Sequence, residues 1–194
     1  MSKVAIQGNA SGTGTFTIAA PNSNTDRTLT LPDEAGTVLT SASNITNMAG
    51  PAFRAYMSSN LSLTTNVTTV IPANTETYDT DGCYDTSTYR FTPTVAGYYY
   101  ANVNGRYHVP TSNQCAFALS VRVNGSIVAS GQHDMYAGNN TDGLTFNRST
   151  IVYLNGTTDY IDFTAYQYIY TSPQSRDLVS ASSQTFIEAF FIRK

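Results

Sequence analysis

The two histidines are the first candidates for acid–base or nucleophilic chemistry, because histidine is the usual catalytic base near neutral pH. The chain contains only His108 and His133. Asp134 follows His133, but neighbouring residues on extended backbone point to opposite faces, so this adjacency does not build a catalytic triad. The remaining acidic residues are few and scattered, which does not favour a glycosidase pair. We therefore predict surface histidines, no catalytic residue and no enzyme activity.

Three aspartates and two cysteines are the candidates for metal ligands. Asp79, Asp81 and Asp85 lie close together in the segment TYDTDGCYD, and several oxygens from such a segment can bind Ca²⁺. The spacing is not that of an EF-hand, and turn aspartates commonly accept hydrogen bonds from backbone amides. Cys83 and Cys115 stand far apart without a C-x-x-C spacing or a nearby histidine, so we expect two buried free thiols. We predict no metal and no other cofactor, and leave Ca²⁺ near Asp79–Asp85 open.

Alternating tyrosines near the end of the chain give the sharper candidate for ligand binding. One face of this segment carries Tyr160, Asp162, Thr164, Tyr166, Tyr168 and Tyr170, and the other carries Ile161, Phe163, Ala165 and Ile169. Tyrosine rings can stack on sugar rings, and their hydroxyls can form hydrogen bonds. Tyr166, Tyr168 and Tyr170 are therefore candidate ligand-binding residues. The alternative is that they pack beneath a loop or against a neighbouring subunit.

Short β-strands are the elements that must position these side chains. From Pro51 onward, alternating apolar runs are separated by turn residues, which is typical of a sandwich or jelly roll and leaves helix essentially absent. Strands are predicted near Ala52–Met57, Val67–Ile71, Gly97–Tyr107, Ala116–Val123, Ile127–Gly131, Leu144–Leu154, Tyr160–Tyr170 and Thr185–Arg193. In the strand that starts near Cys115, alternate residues are apolar, which indicates one core face and one solvent face.

Two Asn-Gly pairs predict tight hairpins. Asn124-Gly125 separates SVRV from SIVA, and Asn155-Gly156 separates TIVYL from DYIDF. Both pairs favour the positive φ angles of two-residue turns.

The last strand is apolar on both faces. Phe186, Phe190 and Ile192 alternate with Ile187, Ala189 and Phe191. An antiparallel strand of this kind must be covered on both sides, so we expect a second subunit on the side that the domain leaves open. The strand at 97–107 is similar, with Tyr99, Ala101 and Val103 on one face and Tyr98, Tyr100, Asn102 and Asn104 on the other. Tyr98, Tyr100, Phe190 and Ile192 are the candidate interface residues, and simple exposure of Tyr98 and Tyr100 is the alternative.

Residues 1–50 read as an extended arm. They contain few large apolar side chains, and glycines and prolines interrupt any helix. Short half-buried strands are predicted where threonines alternate with Phe16, Ile18, Leu29, Leu31, Val38 and Leu39. One arm cannot cover this apolar side alone, so it must lie on sister arms or on a different protein.

Charge and hydropathy narrow the class of partner. Charged residues make up only 12% of the chain and the net charge is −3, so there is no basic surface for nucleic acid or anionic lipid. No apolar run approaches the ~18 residues of a membrane span, and the start MSKVAIQGNASGTG lacks the apolar core of a secretory signal. We expect no nucleic acid, no membrane insertion and synthesis in a cytosol.

The stretch between Tyr78 and Tyr99 resembles the signature of the C1q-like jelly-roll family. The matching residues are Asp79, Tyr84, Phe91, Gly97 and Tyr99, and FTPTVAGYYY is the most distinctive part. The last strand, SQTFIEAFFIRK, is similar to the closing strand of the family, so the resemblance covers about Pro51 to Lys194.

The resemblance implies an all-β C1q/TNF-like jelly-roll sandwich that forms compact trimers through its inner sheets. It makes Tyr98, Tyr100, Phe190 and Ile192 candidate trimer-interface residues. Ala73 departs from the family pattern, which has Phe there, and Ala101 and Val103 replace later aromatic residues.

The arm resembles a different group of proteins. The string GTGTFTIAAPNSNTDRTLTLPDEAGTVLT is similar to the N-terminal segments of phage tail-fibre and virion proteins, particularly from marine and cyanobacterial phages. Together the two resemblances imply a virion-anchoring arm at residues 1–50 and a C1q-like knob at residues 51–194.

These observations lead to an expected function. We expect a bacteriophage structural protein on the virion surface, assembled in the host cytoplasm as a short homotrimeric fibre. The arm would bind other virion proteins, and the knob would adhere to a host surface glycan or protein. The alternative is an architectural head-fibre or capsid decoration protein, and a third class is a bacterial C1q-like lectin.

Overall fold

The structure is a computed structural model that describes residues 11–15, 17, 19, 22–26, 28, 50–108, 114–135, 143–170 and 176–194. The chain divides into two compact units, Met1–Val38 and Leu39–Lys194. In the first unit, the backbone N–H of Thr25 donates to Oγ of Ser23 at 3.1 Å. The strands predicted on Phe16, Ile18, Leu29, Leu31, Val38 and Leu39 lie outside the described residues. The boundary predicted between residues 50 and 51 stays a prediction.

The described part of the second unit is built from β-strands. They are β1 Ala52–Tyr56, β2 Leu61–Leu63, β3 Thr69–Val70, β4 Thr75–Asp79, β5 Tyr84–Asp85, β6 Arg90–Phe91, β7 Gly97–Tyr107, β8 Cys115–Val123, β9 Ser126–Met135, β10 Leu144–Leu154, β11 Ile161–Ile169, β12 Arg176–Leu178 and β13 Phe186–Arg193. No helix occurs in the ranges that the structure describes, which agrees with the predicted all-β class.

The strands form two antiparallel sheets. Sheet A has the order β2-β12-β7-β13-β1-β4, and β10 pairs with the other side of β7. Sheet B has the order β5-β6-β11-β8-β9, and β3 pairs with β11. The chain crosses between the sheets several times, because β7, β10 and β13 lie in sheet A while the hairpin β8–β9 and β11 lie in sheet B.

The hydrophobic core lies where the inward faces of the two sheets meet. Its largest fully buried side chains are Tyr99, Tyr107, Phe53, Phe91, Phe117, Phe163, Met57, Leu63, Ile71, Leu119, Leu154 and Ile161. Phe53 stacks on Tyr84 and on Phe91, with ring centroids 4.4 and 4.8 Å apart. Both cysteines are free and buried, as predicted.

The long strands were predicted closely, and most of the short ones were not predicted. Gly97–Tyr107 and Leu144–Leu154 occur with the predicted bounds, and the strand predicted at 127–131 extends over Ser126–Met135. β3 lies within the strand predicted at Val67–Ile71. β2, β5, β6 and β12 were not predicted, because a two- or three-residue strand is too short to show alternation. β4 was not predicted either, because its sequence TETYD is mostly polar.

One of the two predicted hairpins is correct. Asn124 and Gly125 have φ angles of 51° and 79° and join β8 to β9 in sheet B. Asn155 and Gly156 also form a turn, since Oδ1 of Asn155 accepts from the backbone N–H of Thr157 at 2.9 Å. That turn does not make a hairpin: β10 pairs with β7, whereas β11 pairs with β8, so the chain changes sheets there.

The outward face of β8 differs from the expectation of a solvent face. Ala116 and Ala118 are only 1% and 8% exposed, and Ser120 is 6% exposed. Oγ of Ser120 lies 2.8 Å from Oγ of Ser130 on the neighbouring strand. Short side chains on β8 are covered because longer ones flank them on both sides.

Candidate functional site

The residues of the family signature form a packing unit rather than a ligand site. Phe91 and Tyr99 are fully buried, with ring centroids 5.7 Å apart. The hydroxyl of Tyr84 donates to the carbonyl of Ala73 at 2.7 Å, and burial raises the pKa of Tyr84. A Cβ on Gly97 would meet the carbonyl oxygen of Arg193 at 2.5 Å. These residues therefore stabilise the fold, and any ligand must bind to another part of the surface.

The predicted aspartates serve turns. Oδ2 of Asp79 accepts from the backbone N–H of Tyr84 at 2.8 Å. Asp85 accepts from the N–H and Oγ of Ser87 at 2.8 and 2.7 Å and from Oγ1 of Thr88 at 2.9 Å. These hydrogen bonds from Ser87 and Thr88 lower the pKa of Asp85 to about 2. Among the described residues, no group of three or more His, Cys, Asp or Glu side chains is placed to hold a metal ion.

The two histidines lie at the surface, as predicted. His108 is exposed, and its Nδ1 lies 4.0 Å from Oδ2 of Asp177. The ring of His133 lies 6.1 Å from the ring of Phe146, while Asp134 accepts a hydrogen bond from Gln132. His133 and Asp134 are thus not brought together.

One end of the outward face of sheet A is apolar and exposed. We call this surface the apolar end of sheet A, and it comprises Tyr98, Tyr100, Ile151, Tyr153, Phe190 and Ile192. The strand registers place the first five of these side chains next to one another, since Tyr153 pairs with Tyr98 and Tyr100 pairs with both Ile151 and Phe190. Ile192 lies at an irregularity in β13, where Arg193 pairs with Tyr98. Ring centroids are 5.5 Å apart for Tyr98 and Tyr153, and 5.1 Å apart for Tyr100 and Phe190.

The exposure of the apolar end is large for apolar side chains. Ile151 is 60% exposed, Tyr153 55% and Phe190 44%. The core faces of the same strands are filled by other residues, such as Ala101, Ala189 and Phe191. The alternation predicted for β7 and β13 is therefore confirmed. Ile151 and Tyr153 were not predicted as interface residues, although they alternate along a correctly predicted strand, because their position beside β7 depends on an unpredicted pairing.

The rest of this face is polar and internally paired. Glu188 accepts from Nη1 of Arg54 at 3.1 Å and from Nδ2 of Asn102 at 3.0 Å. The guanidinium of Arg54 also lies 3.7 Å from the ring centroid of Phe186. Asn102 is only 6% exposed. Arg54 and Glu188 on this face thus already have partners within one subunit.

The outward face of sheet B carries the predicted tyrosines. Tyr168 and Tyr170 are 36% and 52% exposed, and their rings meet edge to face with centroids 4.8 Å apart. Tyr166 is half-buried, and its hydroxyl donates to Oδ1 of Asn66 at 3.1 Å. We call these three residues the tyrosine face. It lies on the side of the sandwich opposite the apolar end of sheet A.

The tyrosine face ends at a buried ion pair. Nε and Nη2 of Arg122 donate to the two carboxylate oxygens of Asp162, both at 2.6 Å. Asp162 is 2% exposed and Thr164 is 1% exposed, so neither is available to a ligand, although both were predicted on the same face as the tyrosines. Beyond them, the guanidinium of Arg90 stacks over Tyr160 at 4.1 Å.

A shallow pocket of about 370 Å³ lies near the end of the last strand. It is lined by Thr94, Val95, Ala96, Gly97, Tyr153 and Lys194.

In the part of the chain that the structure describes, no helix has the length and hydropathy needed to cross a membrane.

Comparisons with known proteins give structural neighbours only. No family model and no curated protein matches the chain. The globular domain of zebrafish complement 1qA protein is 15% identical, over 74% of this chain and 99% of that chain, with a TM-score of 0.46. Murine APRIL, in a crystal structure at pH 5.0, is 9% identical over 74% and 99%, with a TM-score of 0.50. Eiger TNF from S. frugiperda is 11% identical over 75% and 92%, with a TM-score of 0.46.

The likeness to murine APRIL, together with the two antiparallel sheets, shows a C1q/TNF-like jelly-roll fold, as predicted. At 9% identity the likeness shows the fold alone.

Proposed function

We propose that this protein is a non-enzymatic homotrimeric binding head with an anchoring arm, and that it works as a short bacteriophage fibre. Residues 1–50 bind other virion proteins, and residues 51–194 form the knob that adheres to the host surface. The protein is then displayed on the virion surface after assembly in the host cytoplasm.

The observation that carries this proposal is the apolar end of sheet A. A soluble domain rarely leaves neighbouring large apolar side chains exposed unless another protein covers them. Ile151, Tyr153 and Phe190 are each more than two-fifths exposed, while the inward residues of β13 and of the central strand β7 are buried. A second copy of the chain is the occupant we propose, and the sequence resemblance to C1q-like domains supports three copies.

The polar part of the same face is compatible with burial between subunits. A buried charge is costly unless it is paired and hydrogen-bonded. Arg54, Asn102 and Glu188 already satisfy one another within a subunit. Association can therefore cover these three residues without leaving Arg54 or Glu188 unpaired.

The oligomeric state of the full chain tests this proposal by analytical ultracentrifugation. We expect a mass three times the chain mass of 21.0 kDa. Phe190→Asp should give folded monomers, because Phe190 is 44% exposed and its loss leaves the core intact. From the sequence alone, Phe190→Asp could also prevent folding, because both faces of its strand are apolar. The exposure of Phe190 restricts the expected effect to assembly.

Val67→Asp is the matched control, because Val67 is 46% exposed but lies outside sheet A. It should remain trimeric. A monomeric wild-type chain, or a Phe190→Asp variant that stays trimeric, would contradict the proposal.

The position on the virion separates adhesion from an architectural role. Antibodies against residues 51–194 can be located on purified virions by immunogold electron microscopy. Labelling at tail tips or fibre ends supports adhesion, whereas uniform labelling of the capsid supports a head-fibre or decoration protein. Absence from virions would leave the bacterial C1q-like lectin as the remaining class.

A further inference from the structure

We propose that each knob binds an uncharged pyranose sugar on the outward face of sheet B, between the tyrosine face and a polar pair on β9. This proposal rests on the proposed adhesive function and names its ligand class. The additional residues are Gln132 and Asp134, which were not predicted to bind a ligand.

The strand registers place the aromatic and polar side chains on opposite sides of β8. Tyr168 and Asp134 both pair with Ala116, and Tyr166 and Gln132 both pair with Ala118. The two flanking strands are therefore two strand spacings apart, roughly 10 Å.

The surface offered to a ligand consists of the longer side chains. Ala116 and Ala118 are 1% and 8% exposed, so they form the base of the surface and not its contact layer. Tyr168 is 36% exposed and meets Tyr170 edge to face, which fixes the orientation of its ring. An oriented aromatic ring can stack on the C–H face of a pyranose.

The polar side supplies directed hydrogen-bonding groups. Nε2 of Gln132 donates to Oδ1 of Asp134 at 2.7 Å, and both residues are exposed. The same bond orients the other carboxylate oxygen of Asp134 and the amide oxygen of Gln132. Oriented acceptors beside a ring-stacking group match the alternating C–H and hydroxyl edges of a sugar.

The platform is fixed to the scaffold. The hydroxyl of Tyr166 is held by Asn66, whose own backbone N–H donates to the carbonyl of Gln167 at 2.8 Å. β8 pairs with β11 and β9 along most of its length. A preformed site loses less conformational entropy when it binds a ligand.

The charges on this face favour a neutral ligand. On the outward faces of β8, β9 and β11, the charged residues are Arg122, Asp162 and Asp134. Arg122 and Asp162 neutralise each other at 2.6 Å, which leaves the carboxylate of Asp134 as the net charge. This carboxylate repels uronic and sialic acids and accepts hydrogen bonds from neutral hydroxyls.

Trimer geometry leaves the site open. The tyrosine face and the apolar end of sheet A belong to different sheets and point away from each other. Three sites on one head multiply weak individual affinities into avid attachment.

Binding of the full chain to immobilised polysaccharides tests this site. The neutral probes are mannan, dextran and chito-oligosaccharides, and the acidic probes are alginate and polysialic acid. We expect binding to at least one neutral probe and none to the acidic probes. Tyr168→Ala should weaken binding by about tenfold, whereas Tyr168→Phe, which keeps the ring, should stay close to wild type.

Asp134→Ala tests the polar side and should weaken binding by a similar factor. Tyr78→Ala is the matched control, because Tyr78 is a 43% exposed tyrosine on sheet A. It should bind like the wild type. Thermal unfolding of each variant should be nearly unchanged.

Failure of this site is distinguishable from failure of the proposed function. A trimer that adheres to host cells but binds no neutral probe would overturn the sugar site and point to a protein receptor. Equal binding to alginate would overturn the neutral class. Sugar binding by a monomeric chain would support the site, which lies within one subunit, while contradicting the trimer.

Discussion

Hydrogen bonds within one turn determine how Asp85 responds to acid. Ser87 and Thr88 donate three hydrogen bonds to its carboxylate, and the pKa falls from an ordinary 3.8 to about 2. A lowered pKa in the folded state means that the ionised group stabilises the fold above its ordinary pKa. That contribution is lost as the pH falls through the folded value.

Asp85→Asn should therefore flatten the acid dependence of stability. The wild type should lose thermal stability between about pH 4 and pH 2. The variant should start with a lower melting temperature at pH 6 and lose less of it over the same interval. Melting temperatures at several pH values check this, and parallel curves for the two proteins would contradict it.

The ion pair on the outward face of sheet B makes a second prediction for single residues. Arg122→Ala leaves the carboxylate of Asp162, which is 2% exposed, without its guanidinium partner. We expect the free energy of unfolding to fall by about 3 kcal/mol, because an unpaired buried charge is strongly destabilising.

The double variant Arg122→Met with Asp162→Leu is the control for this prediction. It removes both charges and should recover most of the lost stability. Denaturant unfolding measures both proteins, and a double variant less stable than Arg122→Ala would show that the pair matters for another reason.

Single residues were predictable where their role follows from alternation or from a known signature. Phe91 and Tyr99, which match the C1q-like signature, are fully buried, and Gly97 of the same signature lies against the backbone of Arg193. Gln132 and Asp134 were not predicted as site residues, because their proximity to the tyrosines depends on how β8, β9 and β11 pair.

At the scale of elements, the strands were easier to predict than their partners. Period-two alternation defines β7 and β10 well, and Asn124-Gly125 defines the hairpin between β8 and β9. The Asn-Gly pair at residues 155–156 forms a different turn, in which only Gly156 has a positive φ, and it joins strands of different sheets. An Asn-Gly pair indicates a turn, whereas the choice of sheet depends on which apolar faces must meet in the core.

The polar row across β1, β13 and β7 predicts a defect that is specific to assembly. Glu188→Ala removes the acceptor of Arg54 and Asn102 on a face that the trimer would bury. We expect the subunit dissociation constant to rise by about tenfold or more, because an uncompensated charge would be buried between subunits.

The Glu188→Gln variant keeps one amide oxygen as an acceptor and should fall between wild type and Glu188→Ala. Sedimentation at several concentrations measures all three proteins. Unfolding of dilute monomers should change little, because Glu188 is partly exposed in a single subunit. Equal dissociation constants for the three proteins would place this face outside the interface.

At the scale of the molecule, the arm and the knob are proposed to have separable tasks. Removal of residues 1–50 should leave a trimer in sedimentation experiments, because the apolar end of sheet A lies in the knob. The truncated protein should be absent from purified virions, since the apolar sides of the arm would no longer meet a virion partner. Virions with normal occupancy of truncated protein would contradict the anchoring role.

The position of β1 determines how a force applied to the arm would be transmitted to the knob. β1 follows Pro51 and is the first strand of the knob, and it lies between β13 and β4. Residues 52–56 pair with β13, while Phe53–Tyr56 pair with β4. Hydrogen bonds in antiparallel pairs run perpendicular to the strands. Tension applied along β1 therefore acts on both ladders in shear, so many bonds share the load instead of opening one after another. If the protein is the fibre proposed above, this arrangement would let each head resist drag on the particle mechanically.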